Sequence, residues 1–124
     1  MKRDLDLIRE ILLFVEEKSP PGGPCPVVEI SGFDKAMTGA HIDLLMEAHL
    51  LNAVTPGGRK VAIPPHVVHI YGLSWTGHEF LALAAPRPMW ENMKTEALKH
   101  GVNLTLDMAL SLLKHLAARH LGLP

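Results

Sequence analysis

The sequence contains little cysteine, few aromatic residues and no long apolar run. Cys25 is the single cysteine among 124 residues, which excludes an internal disulfide and a zinc site built on several thiolates. The longest apolar stretches are far shorter than the roughly 20 residues that cross a bilayer. Acidic residues beside the first basic ones exclude the pattern of a signal peptide. We therefore expect a soluble, cytoplasmic protein that makes no contact with a membrane.

Charge also lacks a dominant sign. Twelve Lys and Arg residues meet thirteen Asp and Glu residues, for a formal net charge of -1. Composition therefore does not indicate a strongly basic nucleic-acid binder. Apolar residues make up 48% of the chain, enough to bury a core and to exclude a wholly disordered protein.

Two amphipathic helices are predicted in the first half of the chain. The first covers residues 4–18, with either Asp4 or Asp6 as its N-cap. The second covers about residues 34–48, with Asp34 as its N-cap. A stretch rich in proline and glycine lies between them and must end the first helix.

Strand patterns occur in three places. Residues 27–30 predict a short strand before the second helix. Residues 51–55 and the alternating end of residues 60–73 flank the turn signal at residues 56–58, which predicts a hairpin.

A helix is predicted directly after this hairpin. Thr76 and Glu79 have the spacing of a capping box, and Trp75 and Phe80 have that of a hydrophobic staple. The helix should end by Pro86, because proline cannot continue it.

Two further helices complete the prediction. One has Pro88 in its first turn and ends near Gly101, and the last runs from its cap at Thr105 to about Leu121. Apolar residues cover more than half of the last helix, so it should be buried on two sides. Leu106, Leu110, Leu113 and Ala117 are expected to face the domain, while Met108, Leu112 and Leu116 need cover.

The cover for this last helix can come from two sources. We predict a homodimer built at least partly by the helix, because several exposed aliphatic residues in one patch favour association. The alternative is cover within one chain by the first helix, Trp90 and Met93.

The order helix, strand, helix, hairpin, helix is that of a winged helix. Residues 41–51 resemble the recognition-helix signature of winged-helix transcription regulators, and residues 73–81 resemble the entry to the helix after the wing. With residues 1–9 and Trp90, they make the whole chain similar to an uncharacterised bacterial and phage family, domain of unknown function 2513.

This resemblance implies a fold and no activity. The expected fold is mainly α with a small β-hairpin, a winged helix-turn-helix-like domain with two extra C-terminal helices. Its winged-helix-like core would span residues 1–85, with residues 86–124 packed on that core as a helical extension of a single compact domain.

The candidate nucleic-acid-binding residues are Lys35, Thr38, His41, Arg59 and Lys60. His41 lies on the apolar stripe of its helix, so it is either a packed, hydrogen-bonded histidine or a nucleic-acid contact. Arg59 and Lys60 belong to a solvated turn or contact phosphates from the wing tip.

Other positions weaken the expectation of base reading. Gly39 and Ala40 precede His41 and cannot donate a side-chain hydrogen bond to a base edge. His49 stands where such a helix usually ends in a left-handed glycine, at some conformational cost.

The sequence is compatible with two functions. The first is a small DNA-binding or transcription-regulatory protein that contacts double-stranded DNA as a dimer. The second is a protein–protein interaction module on a winged-helix frame that has lost base reading. No phosphate loop, nucleophile elbow or complete zinc motif occurs in the sequence. We accordingly predict no catalytic residue, no cofactor, no metal and no enzymatic activity.

Overall fold

The structure is a computed structural model that describes residues 1–54 and 69–124. The predicted turn at residues 56–58, most of the return segment, and both Arg59 and Lys60 lie outside the described residues.

The described part of the chain is mainly helical, with one antiparallel pair of strands. This confirms the predicted α-rich class with a small β-hairpin. None of the helices in these ranges is long and apolar enough to cross a bilayer. The elements are α1 (Leu5–Lys18), α2 (Lys35–Glu47), β1 (Leu51–Val54), β2 (His69–Leu73), α3 (Trp75–Ala84), α4 (Arg87–Lys99) and α5 (Leu106–His120).

The chain forms two compact units. Unit 1 covers Met1–His78 and unit 2 covers Glu79–Pro124. The division falls inside α3.

Local caps fix the two helices of unit 1 where the sequence predicted them. The Asp4 carboxylate accepts hydrogen bonds from the Asp6 and Leu7 N–H groups at 2.9 and 3.2 Å, which identifies Asp4 as the cap of α1. The Asp34 carboxylate accepts from the Met37 N–H at 2.7 Å and caps α2. The buried apolar residues of unit 1 are Leu7, Ile8, Ile11, Leu12, Val15, Val28, Ile42, Leu45, Leu50, Leu51, Ile70 and Leu73.

The end of α2 has the predicted left-handed residue. His49 has φ of 60°, and it is the one non-glycine residue with positive φ in residues 1–54 and 69–124. This left-handed residue turns the chain back toward α2. As a result, the Leu50 N–H donates to the Leu45 carbonyl in the last turn of the helix, at 3.0 Å. The chain then enters β1.

The short strand predicted at residues 27–30 is wrong. These residues belong to no strand, and Val27 is 81% exposed. Within residues 1–54 and 69–124, one backbone bond links the preceding loop to the sheet, from the Cys25 N–H to the Ile70 carbonyl at 2.6 Å. A single bond of this kind does not form a ladder, so the apolar pattern of this segment does not become a strand.

The predicted capping box of Thr76 and Glu79 is also wrong. Because α3 begins at Trp75, its cap is Ser74, whose hydroxyl accepts from the Gly77 N–H at 3.0 Å. The same hydroxyl donates to the His49 carbonyl at 2.6 Å, and that tertiary bond selects Ser74 over Thr76.

The predicted hydrophobic staple is wrong as well. Trp75 is 81% exposed, so its side chain does not pack on Phe80. Phe80 is buried within unit 2, in an edge-to-face contact with Trp90 at 6.4 Å between ring centroids.

Replacing Ser74 with alanine is expected to lower the free energy of unfolding by about 1–2 kcal/mol, because it removes a helix cap and a bond to the end of α2. Thr76→Ala is the matched control and should be close to neutral. Urea denaturation of both variants, followed by circular dichroism, measures the difference. A larger loss for Thr76→Ala than for Ser74→Ala would contradict this assignment of the cap.

Unit 2 contains the last two helices in the predicted positions. Pro88 lies in the first turn of α4, and the Thr105 hydroxyl accepts from the Met108 N–H at 3.1 Å and caps α5. The stripe of α5 that is buried differs from the predicted one, because it follows the side on which α4 packs. Its buried residues are Ala109, Leu113 and Leu116, while Leu106, Leu110 and Ala117 are half-buried and Met108 is 44% exposed.

Candidate nucleic-acid interface

His41 is a structural residue in the interior of unit 1. Its ring is completely buried, and both ring nitrogens have partners within the chain. Nε2 accepts from the Asp4 N–H at 2.8 Å, and Nδ1 lies 2.9 Å from the Met37 carbonyl oxygen. Since a carbonyl only accepts and a backbone N–H only donates, these two bonds place a ring proton on Nδ1 and leave Nε2 as the acceptor. This confirms the interpretation of His41 as a packed, hydrogen-bonded histidine.

Of the two other candidate residues on α2, Thr38 is buried and Lys35 is exposed. Thr38 is 4% exposed and lies on the same buried stripe as His41, so neither side chain offers a surface to a nucleic acid. Lys35 is exposed in the first turn of α2. It is the remaining candidate in the described residues.

The bond between Asp4 and His41 brings further basic residues to α2. Lys2 and Arg3 directly precede Asp4, and both are exposed. The two bonded residues are 37 positions apart in the sequence. No periodicity connects them, so the sequence pattern alone does not place Lys2 and Arg3 beside α2.

Lys2 and Arg3 lie at the opposite end of α1 from two acidic residues. Its N-terminal end carries Lys2 and Arg3, and its C-terminal half carries Glu16 and Glu17. A helix of this length spans about 20 Å, which places the two groups well beyond a Debye length at physiological salt. The acidic half also borders a groove of about 490 Å³ that Leu13, Phe14, Glu29 and Ile30 help to line. The surface at Glu16 and Glu17 is therefore remote from Lys2 and Arg3. Each end of α1 also carries charges of the other sign, at Asp4 and Asp6 and at Lys18.

The outer face of α2 is poor in hydrogen-bond donors. Ala36, Ala40, Leu44 and Glu47 follow one another at helical spacing and are exposed or half-buried. None of their side chains can donate a hydrogen bond to a base edge in the major groove. These four positions therefore supply no hydrogen-bond donor for base-specific readout.

Comparison with known proteins identifies one family and no activity. A family model described as "Hypothetical protein (DUF2513)" matches residues 2–103. An uncharacterized protein of Haemophilus influenzae is 32% identical over 108 residues, which cover 86% of this chain and 87% of that protein. No solved structure matches the chain.

Proposed function

The chain belongs to the DUF2513 family of hypothetical proteins, and we propose that it is a small winged-helix-like protein that binds double-stranded DNA through the phosphate backbone. The element order of unit 1 supports this fold. The helices α1 and α2 are followed by the antiparallel strands β1 and β2 and by the start of α3. In this arrangement α2 takes the place of the recognition helix, and the connection between β1 and β2 takes that of the wing.

The observation that carries the proposal is the hydrogen bond from the Asp4 N–H to His41 Nε2. It ties Lys2 and Arg3 to α2, the helix that presents Lys35 at its exposed first turn. Lysine and arginine side chains supply most protein contacts to DNA phosphates. The N-terminal segment and α2 would therefore grip the backbone together, as homeodomain arms and helices do.

The sequence places two more cations where a wing would contact DNA. Arg59 and Lys60 lie between β1 and β2 in the chain, outside the described residues. Two adjacent cations suit contact with the sugar–phosphate backbone. Binding by these residues depends on charge and groove shape and carries little sequence information.

The outer face of α2 sets the expected specificity. Because Ala36, Ala40 and Leu44 cannot hydrogen-bond to bases, affinity should vary little between unrelated duplexes. A regulatory role would then depend on where the protein is recruited or on DNA shape. Steep salt dependence is the signature of this mode of binding.

We expect the double variant Lys2→Ala/Arg3→Ala and the variant Lys35→Ala to weaken duplex binding by roughly tenfold at 0.1 M salt for each DNA phosphate that the variant no longer neutralises. Lys18→Ala is the matched control, since Lys18 is an exposed lysine at the far end of α1, paired with Glu17 at 3.7 Å. Fluorescence anisotropy of a labelled duplex measures all three affinities. Equal losses for Lys18→Ala and Lys35→Ala would show that the binding depends on net charge and not on this surface.

One observation favours a second candidate function, a protein–protein interaction module. The outer face of α2 presents small and apolar side chains, and a helix face of this kind suits packing against another protein. A protein that uses α2 only in this way would not bind a duplex at low salt. The anisotropy titration therefore separates the two functions.

A further inference from the structure

A cleft in unit 2 has an apolar floor and a charged rim. It lies between α4 and α5 and has a volume of about 360 Å³. The apolar residues that define this α4–α5 cleft are Ala97, Val102, Leu104, Met108, Leu112 and Leu116. We propose that the cleft is the surface through which two copies of the chain associate, with their α4–α5 hairpins forming a four-helix bundle.

The burial pattern of α5 shows which side needs a partner. One side of the helix is already used within unit 2, where Ala109 and Leu113 are completely buried. The neighbouring side carries Met108, which is 44% exposed, and the half-buried Leu112. A helix that is apolar on two sides needs cover on both. The predicted homodimer is thereby assigned to a defined face of α5.

The architecture of unit 2 suits this mode of pairing. The helices α4 and α5 have 13 and 15 residues, pack on each other, and are joined by the short segment 100–105. Two helices of similar length with a short connection form half of a four-helix bundle. A second hairpin placed over the cleft would cover Val102, Met108 and Leu112 together.

The charges on the rim favour a second copy over a foreign partner of one sign. Glu96 and His100 line the α4 side, while His115 and Arg119 line the α5 side. Within its own chain Glu96 lies 3.9 Å from both Lys99 and His100, contacts at the outer limit of an ion pair. A two-fold axis sets the same patch against itself, so each acidic rim residue can approach a basic residue of the other copy. A rim of a single sign would repel its own copy, and this rim does not.

The test is the molar mass of the purified full-length chain across a concentration range, measured by light scattering without DNA. We expect a dimer for the wild type and a monomer with unchanged helical circular dichroism for Leu112→Glu. Leu98→Glu is the matched control, because Leu98 is 82% exposed on α4 and does not line the cleft. This control should remain dimeric.

Exchanging the charges of two rim residues tests the dimer separately from folding, because the second substitution should restore what the first one weakens. Arg119→Glu should raise the dissociation constant of the dimer about tenfold, and Glu96→Arg in the same chain should restore it at least in part. A wild type that stays monomeric into the high micromolar range overturns the proposal. So does dissociation by Leu98→Glu without dissociation by Leu112→Glu, or a monomer whose cleft binds an apolar dye that Leu112→Glu abolishes. These outcomes leave the proposed DNA contacts of unit 1 untouched, since the duplex titration reports on them separately.

Discussion

Replacing Gly77 with alanine is expected to destabilise the protein by roughly 3 kcal/mol, the upper end of the usual cost of overpacking. A Cβ at this position would collide with the Leu50 carbonyl oxygen and would lie 3.1 Å from the Leu50 carbonyl carbon and 3.2 Å from the Leu73 Cβ. The Leu50 carbonyl cannot simply move away, because it accepts the Ser74 N–H at 3.0 Å. Glycine is therefore required where α3 passes closest to the chain that enters β1.

The expected change in the free energy of unfolding has the opposite sign to that of most glycine-to-alanine substitutions in helices. Glycine to alanine inside an exposed helix usually stabilises by about 1 kcal/mol. Urea denaturation of Gly77→Ala, with Thr76→Ala as the neighbouring control, measures which effect wins. An increase in the free energy of unfolding for Gly77→Ala would mean that α3 does not approach Leu50 as described.

The second large effect is expected for His41→Ala, which should lower the free energy of unfolding by about 3 kcal/mol. The substitution leaves the half-buried Asp4 N–H without its acceptor and opens a cavity the size of the ring. Each contributes on the order of 1–3 kcal/mol. His41→Asn retains a donor near the Met37 carbonyl and should be less destabilising. The exposed residue His78 provides the control His78→Ala, which should be close to neutral.

Urea denaturation midpoints compare these three variants. His41→Ala should also weaken duplex binding at temperatures where it remains folded, since Lys2 and Arg3 are then no longer anchored on α2. A stable His41→Ala protein with unchanged affinity for DNA would contradict the anchoring role of the Asp4–His41 bond.

Features set by neighbouring residues were predictable from the sequence. The caps Asp4, Asp34 and Thr105 bond to N–H groups two or three residues ahead, so the local pattern suffices to place α1, α2 and α5. The left-handed backbone of His49 also follows from its place after a helix. Element order and helix bounds therefore came close to the structure.

Features set by distant residues were not predictable in this way. Ser74 and Thr76 are equally good caps by composition, and only the His49 carbonyl, 25 residues away from Ser74, distinguishes them. Residues 27–30 have the composition of a strand, but strand formation depends on a paired neighbour that the pattern does not contain.

In the candidate interface, too, local features were predictable from the sequence and tertiary contacts were not. Lys35 is on the surface, as expected of a lysine in a first helical turn. Thr38 shares the buried stripe with His41 and Leu45, and its spacing of three and seven residues from them was a signal in the sequence. Because threonine is polar, this spacing alone did not predict that Thr38 is buried. The position of Lys2 and Arg3 beside α2 depends on one tertiary bond, which the sequence pattern does not show.

Fluorescence anisotropy of a labelled duplex, titrated with wild-type protein from about 50 to 200 mM salt, tests DNA binding by this chain most directly. The logarithm of the association constant should fall linearly with the logarithm of the salt concentration, by about 0.9 for each phosphate contacted. Duplexes of unrelated sequence should give similar slopes and affinities, because the outer face of α2 offers no donor to the bases. No binding at the lowest salt, or an affinity that does not change with salt, would contradict the proposal that the protein binds the DNA phosphate backbone.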